Sequence, residues 1–530
     1  MKHLYQHTRL YLFIACTLIS SPAMSQQKQS AEIQRNFIIY TDVMRQLDMN
    51  YFDTLNYEKL TETAINQMLR QIDPYTIYIP KREDENLRMM TMGKYGGIGA
   101  VIMQRDSGVY ISNPYEGMPA QKNDVLAGDQ ILQVDGWDCI GKTTKDVSDR
   151  LRGKPGTIVH LKLLRPNMTT PIERHFERKD IHLPAVTYYT HFKQDTIAPI
   201  GYVQFSEFTS GSAKEFLVAV EELVNKASIG SLIIDLRGNG GGIIDEAIQL
   251  VSYFVDRGVE VVNTKGKIPS SNRSYTTKTS PLYRNMPLIV MVNGQSASAA
   301  EIVSGSLQDM QRATIVGQKT FGKGLVQSVR PIAYDGHLKV TTAHYYLPSG
   351  RCIQAIDYDK IRKEGKAAKD TVGGITPDVV FADSQKVDIT YSLYIKHMFF
   401  DYATLYHANH DTIPSPQVFT LSDQDIEDFI VFLDNKGYTY ETETSKYFND
   451  MINMAKHEDL DSTIIASFES MRSSLKPSYK DAIRRNIEEV KEMIGAEIVE
   501  RYYFQQGRIA YMLRFDKELE QAIQIMQTKK

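Results

Sequence analysis

Three short stretches hold most of the residues that could do chemistry: "DLRGNGGG" (Asp235 to Gly242), "NGQSASAAE" (Asn293 to Glu301) and "GQKTFGKGLVQ" (Gly317 to Gln327). The last has two glycines five positions apart and then a lysine, as a phosphate-binding loop would. The next position should be Ser or Thr to hold Mg²⁺, and it is Gly324. Lys323 therefore needs another explanation. In the second stretch, Ser296 and Ser298 follow the strand-like run "PLIVMV" and precede a helix whose apolar face would be Ala300, Val303, Leu307 and Met310. A serine at a strand-to-helix turn stands at the sheet edge, beside helix-start amides that can stabilise an oxyanion. The spacing is G-x-S-x-S and not the G-x-S-x-G elbow, and either serine can also cap the helix, so one can cap while the other reacts. In the first stretch, three successive glycines give bare amides that a carbonyl or phosphate oxygen can approach closely. Alone, such a run is only a tight turn. Beside a nucleophile it gains a use.

A serine must lose its proton to attack a carbonyl, and the usual acceptor is histidine. The surrounding segment offers His337 and His344, both inside the strand-like alternation "GHLKVTTAHYYL", where a structural histidine is the ordinary reading. A lysine can serve if it is neutral. Burial lowers a lysine pKa because the charged form loses solvation, and Phe321, Leu325 and Val326 around Lys323 could supply that setting. A surface lysine in a glycine loop remains the alternative.

These residues need elements to position them. Residues 196 to 382 alternate strand-like and helix-like runs, which gives α/β organisation with at least a partly parallel sheet. Active sites in such sheets lie at the carboxyl ends of the strands, where the first two stretches fall. Upstream, residues 31 to 72 are rich in helix formers, with Ile33, Ile38, Val43, Leu47, Ile65, Met68, Leu69 and Ile72 at helical spacing, and "DPYTIYIP" (Asp73 to Pro80) ends the pattern. From "YGGIGAVI" (Tyr95 to Ile102) to about Pro166, short strands, turns and one polar helix at "TTKDVSDRLRG" predict a compact mixed domain. Beyond about residue 386 the chain reads as helical, ending in a long amphipathic series from Tyr479 to Met526.

Of the 530 residues, 42% are hydrophobic and 24% charged, which suits a folded protein of several domains. The net charge of −3 argues against nucleic acid as the partner. No H-E-x-x-H or clustered Cys/His signature is present, so neither a metal nor another cofactor is expected. Lys2 and Arg9 precede the apolar run Leu10 to Ser20, and Ala23 and Ser25 offer small residues at a cleavage site. Export is expected, with a mature soluble chain starting near Gln26 in an oxidising, most simply periplasmic, compartment. Lipoprotein anchoring at Cys16 is the lesser option. No later segment reaches the roughly 18 apolar residues that span a bilayer. Cys139 and Cys352 do not amount to a disulfide scaffold, and whether they pair is left open.

Taken together, "SLIIDLRGNGGG", "NGQSASAAEIVSGSLQD" and "GQKTFGKGLVQ", with "DPYTIYIP" before them and "GITPDVV" (Gly374 to Val380) after, resemble the carboxyl-terminal processing peptidases. These are serine peptidases of the tail-specific protease group, and the resemblance covers roughly residues 35 to 382. "YGGIGAVI" with "LAGDQILQVDG" is similar to a PDZ domain. The resemblance implies a multidomain α+β chain: signal peptide 1–25, helical N-terminal region 26–87, PDZ domain 88–168, α/β serine-peptidase core 169–385, and helical C-terminal region 386–530. It implies Ser298 as nucleophile, Lys323 as base and Gln327 as the residue that orients the lysine. The oxyanion amides would be those of Ala299 and a glycine of the 240 to 242 loop, with Gly241 the choice. Gly96, Gly97, Ile98 and Gly99 would form the PDZ carboxylate loop that holds an unstructured C-terminal tail, the adjoining strand edge pairing with its main chain. The chain departs from the family pattern in "GRCIQ" (Gly350 to Gln354), where "GRSIQ" is common. The alternative from another class is a PDZ adaptor with an inactive peptidase core. The C-terminal helices would then recruit a partner, and oligomerisation or gating are further roles open to them.

Overall fold

The computed structural model describes residues 30–83, 87, 89, 91–105, 108–193, 198–364, 373–382, 388–474 and 478–528. The expected export segment 1–25, including Cys16, lies outside these. The chain divides into two units, up to Gln71 and from Ile72 onward. The first contains a helix at 30–50 and a second at Tyr57–Arg70. Asn56 starts the second by accepting the Lys59 N–H at 2.9 Å, which satisfies one of the amides a helix start leaves free. The helical spacing of Ile33, Ile38 and Val43 is real, yet all three are more than half exposed.

In the second unit a six-stranded sheet forms the centre. Its order is Val186–Phe192, Ile200–Phe205, Ser231–Asp235, Leu288–Val292, Thr314–Gly317 and Val379–Val380, the first pair antiparallel and the rest parallel. "SLIID" and "LIVMV" are buried along their whole length, as strands of a parallel sheet covered on both faces must be. On one face, Val203, Ile234, Val290 and Ile315 pack with the helices Ser212–Ala227, Ile244–Ser252 and Ala299–Asp309. On the other, Tyr202, Ile233, Ile289, Met291 and Val316 pack with Leu519, Ala522 and Met526 of the last helix, Lys517–Thr528. A second, antiparallel sheet carries Leu325–Pro331 on His337–Tyr346, which also pairs with Ile77–Ile79 and Glu260–Gly266.

The small mixed domain is a five-strand path, Ala100–Arg105, Gly108–Pro114, Gln130–Val134, Ile158–Leu164 and Ile172–Glu177. Its helix Thr144–Leu151 starts with a reciprocal capping box between Thr143 and Asp146. Among the described residues, five helices, Asp388–Ile395, Met398–Asn409, Asp423–Asn435, Tyr479–Arg485 and Ile487–Met512, form a third apolar cluster around Phe399, Phe429, Ile483 and Ile494. The architecture is multidomain α+β. The structure adds detail at two places that the sequence left open. The terminal amphipathic series is not one helical run: the helix Ile487–Met512 is broken at Phe504 (φ 54°, ψ −162°), and Lys517–Thr528 belongs to the core sheet instead of the helical cluster. Cys139 and Cys352 are both free thiols, the first buried. No helix of the described residues is long and apolar enough to cross a membrane.

Candidate active site

The strand Leu288–Val292 ends at the turn Asn293–Ala297, and Ser298 is the N-cap of the helix Ala299–Asp309. Its backbone sits at φ 57°, ψ −114°, a conformation that costs a non-glycine residue on the order of 1–3 kcal/mol. A neighbour must hold it there, and Glu301 does so. Fully buried in the first helical turn, the Glu301 carboxylate accepts the Ser298 N–H at 2.8 Å and the Lys323 N–H at 2.9 Å on one oxygen. Its other oxygen accepts the Thr320 hydroxyl at 2.6 Å and the Gly322 N–H at 2.8 Å. One carboxylate thus ties the serine turn to the lysine loop. Burial pushes its pKa up, opposed by those four donors.

Ser296 is otherwise employed: its hydroxyl donates to the Leu236 carbonyl at 2.7 Å and accepts the Asn293 N–H at 2.9 Å. Gly241, at φ +98°, lies so close that an added Cβ would come within 2.7 Å of Ser298 Cβ and 2.8 Å of the Ala299 nitrogen. Only glycine fits there. Its own N–H, expected to face the oxyanion, donates to Asn239 Oδ1 at 2.8 Å in this arrangement, because the turn that brings Gly241 to the serine points its amide back at Asn239. The buried Tyr345 side chain stands beside Ser298.

Lys323 is partly buried, and its Nζ lies over the Tyr75 ring, 4.5 Å from the centroid. Its pKa is lowered to about 8, first by burial and then by Lys339, while Glu301 and Asp73 pull the other way. Tyr75 is set by Asp73, whose carboxylate accepts the N–H groups of Tyr75 at 2.8 Å and Thr76 at 2.7 Å. Among the described residues no hydrogen bond joins the Ser298 hydroxyl to Lys323 Nζ. Gln327 follows a register shift between Val326 and Gln327, and its amide donates to the Leu325 carbonyl at 3.3 Å and Thr341 Oγ1 at 3.4 Å, not to the lysine. Ser298, Ala299, Gly241 and Lys323 are therefore gathered in one place, while the Gln327 amide is engaged by Leu325 and Thr341.

Gly96 to Gly99 connect the strand Lys94–Gly97 to the edge strand Ala100–Arg105. The carbonyls of Gly96, Ile98 and Gly99 accept the N–H groups of Gly153, Ala120 and Tyr115 at 3.1, 2.8 and 2.9 Å, and the Ile98 side chain is buried. Gly99 needs φ +73°, and a Cβ there would meet Met118 at 2.4 Å. The strand Ala100–Arg105 ends the sheet path and pairs only with Gly108–Pro114 among the described strands. Gln104 Oε1 accepts the Thr144 N–H at 2.9 Å, which fixes the helix Thr144–Leu151 beside that edge. Among the described residues no group of three or more His, Cys, Asp or Glu side chains could hold a metal ion.

Glu301, Tyr75 and Asn239 were assigned no role from sequence. All three stand inside the quoted stretches "NGQSASAAE", "DPYTIYIP" and "DLRGNGGG", but their partners are unknowable from spacing.

A family model described as Peptidase family S41 matches residues 199–380, one for a PDZ domain matches 110–165, and one described as "Probable PDZ-protease, C-terminal helical domain" matches 389–526. A carboxy-terminal-processing protease of Bartonella bacilliformis is 32% identical over 372 residues, covering 70% of this chain and 80% of the relative. Among solved structures, a photosystem II D1 C-terminal processing protease is 28% identical and covers 62% of this chain and 84% of its own, with a TM-score of 0.37. The PDZ domain of a carboxy-terminal protease from Vibrio cholerae, solved in complex with peptide, is 28% identical and covers 17% of this chain and 99% of its own, with a TM-score of 0.16.

Proposed function

Because the chain belongs to peptidase family S41, the carboxy-terminal-processing serine proteases with a PDZ domain, we propose that it is an exported endopeptidase that cleaves unstructured C-terminal tails with a Ser298/Lys323 dyad. The observation that carries this reading is the Glu301 carboxylate, which binds the backbone of both residues with a single oxygen. A strained serine at a strand-to-helix turn and a lysine with its pKa lowered to about 8 are what acyl transfer by such a pair requires.

The reaction begins when neutral Lys323 turns from the Tyr75 ring and takes the Ser298 hydroxyl proton. The serine oxygen bonds to the scissile carbonyl carbon, and the carbonyl electron pair moves to its oxygen. That oxyanion is held by the Ala299 amide and an amide of the 240 to 242 loop. As the carbonyl re-forms, the C–N bond breaks and the Lys323 ammonium protonates the leaving amine. Water then gives a proton to Lys323 and attacks the ester carbon, and the returned proton frees Ser298. Gln327 receives the lysine once it has left Tyr75. The tail is presented by the PDZ domain, with its terminal carboxylate at Gly96 to Gly99 and its main chain on the open edge of Ala100–Arg105. Export to the periplasm rests on the amino-terminal run of residues 1–25.

The test is cleavage of an unfolded protein with an apolar C-terminus by the wild type, Ser298→Ala and Ser296→Ala, each folded by circular dichroism. Ser298→Ala is expected to be inactive. Ser296→Ala is expected to keep activity and lose about 1–3 kcal/mol of stability, since the Asn293 amide loses its partner and the Leu236 carbonyl keeps only the Asn239 N–H. Undiminished cleavage by Ser298→Ala would refute the assignment. Amidating the substrate's C-terminus tests the tail reading, and unchanged cleavage would contradict it.

A further inference from the structure

We infer that Arg237 is a positioning residue through which the start of the last helix fixes the glycine loop beside Ser298. The inference rests on Ser298 being the nucleophile and adds a regulator of its surroundings.

Arg237 leaves the strand Ser231–Asp235 and opens the loop Gly238 to Gly242. Its guanidinium is largely buried and meets carboxylates from two directions. On the strand side, Asp235 accepts Arg237 Nε at 3.0 and 3.1 Å, one of the terminal nitrogens at 2.7 Å and the Arg237 N–H at 2.9 Å, while also accepting the Tyr202 hydroxyl at 2.7 Å. Across from it, Asp516 accepts the two terminal nitrogens at 3.1 and 2.5 Å, and Glu518 accepts one at 2.8 Å. Asp516 also accepts the Leu519 N–H at 2.9 Å, so the same carboxylate starts the last helix. Paired forks of this kind fix direction as well as distance, which a single lysine contact would not.

From Arg237 the path to the serine is short. Gly238 donates its N–H to Asn293 Oδ1 at 3.0 Å, an oxygen that also accepts the Gln295 N–H at 3.1 Å. Asn239 donates to the Phe205 carbonyl at 2.8 Å, accepts the Gly241 N–H on its side chain, and accepts the Ala297 N–H on its carbonyl at 2.9 Å. Ala297 precedes Ser298. The loop is thus clamped at Arg237 and at Asn239, and the second clamp touches the nucleophile turn.

One side of the first clamp is open. A cavity of about 880 Å³ is lined by Arg237 and Gly238, by Val101 and Met103 of the PDZ edge strand, and by Glu497 and Arg508 of the helical region. The guanidinium is part of the wall where three regions meet, and its bonds to Asp516 and Glu518 tie the loop to the start of the last helix.

The full chain is tested as Asp516→Asn/Glu518→Gln, as Arg237→Gln, and as the combination, with thermal melts to establish folding at the assay temperature and Ser298→Ala run alongside. The double variant is expected to lower kcat about ten- to hundred-fold with KM changed less than two-fold, because a displaced oxyanion donor costs turnover more than binding. The rate of Ser298 labelling by a fluorophosphonate is expected to fall in proportion. Arg237→Gln, which also removes the side-chain bonds to Asp235, should fall at least as far, and the combination no further than Arg237→Gln, since Asp516 and Glu518 act through Arg237. If the double variant melts too low, Glu518→Gln alone, which leaves both Asp516 bonds, is held to a several-fold loss of kcat. A folded double variant with wild-type kcat, a loss confined to KM, or additive losses in the combination would overturn the inference. Cleavage that survives in Ser298→Ala would instead overturn the nucleophile assignment.

Discussion

The Glu301 carboxylate accepts four hydrogen bonds in a position with no exposure, two on each oxygen. An amide cannot replace it. Glu301→Gln keeps one acceptor oxygen and turns two N–H donors toward donors already in place, so at least two of the four bonds are lost. Each buried donor left without a partner costs about 1–3 kcal/mol, which puts the loss at roughly 2–6 kcal/mol. The Ser298 turn and the Lys323 loop would also separate, and a misplacement of about 1 Å costs on the order of a hundred-fold in rate. The expected result is a lowered urea midpoint together with a hundred-fold lower kcat at temperatures where the variant is still folded. Wild-type turnover in a folded Glu301→Gln would show that the carboxylate holds the fold and not the site. At this scale the residues proposed to react were legible because serine, lysine and glycines fall in fixed order in "NGQSASAAE", "GQKTFGKGLVQ" and "DLRGNGGG". Glu301 was not. An acid in the first turn of a helix ordinarily answers the helix dipole at the surface, and nothing in its spacing reveals that Thr320 to Lys323 fold back over it.

The elements that carry these residues were largely readable too, for a physical reason. "SLIIDL" and "PLIVMV" are too short and too continuously apolar for anything but strands buried on both faces, and the structure has them so. The last helix was different. Its stripe at 3.6-residue spacing says that one face is buried but not against what, and the face of Leu519, Ala522 and Met526 covers the underside of the peptidase sheet. The helix is therefore part of the catalytic core. Leu519→Ala is expected to destabilise the chain by about 2–5 kcal/mol, the range for emptying a buried leucine site, whereas Leu460→Ala, at a position 37% exposed, should stay within about 0.5 kcal/mol. Urea unfolding followed by tyrosine fluorescence would measure both. Equal effects would mean that the helix does not support the sheet. The Gln327 position shows the opposite limit: its place on the strand follows from sequence, but the register shift beside it, which turns the side chain to Thr341, does not.

At the scale of the whole molecule, the PDZ strand edge, the peptidase loop and the helical region are joined by named polar contacts. Arg105 binds Asp401 with both terminal nitrogens, at 2.6 and 2.9 Å, Asn113 donates to Glu500 at 2.7 Å, and Arg237 binds Asp516 and Glu518. These contacts put the PDZ edge strand and the Ser298 turn on one connected scaffold, and the proposed chemistry at its centre depends on whether Lys323 is neutral. With its pKa lowered to about 8, the lysine is mostly protonated at pH 6 and mostly free at pH 9. A base acts only in the free form, so Ser298 reactivity should rise with pH and level off above about 9. The measurement that tests this most directly is the rate of Ser298 labelling by a fluorophosphonate between pH 5 and 10, in the wild type and in Lys323→Ala. The account predicts a single rise centred near pH 8 in the wild type and a rate at least a hundred-fold lower in Lys323→Ala. A rate independent of pH across that range, or labelling of Lys323→Ala at the wild-type rate, would contradict it.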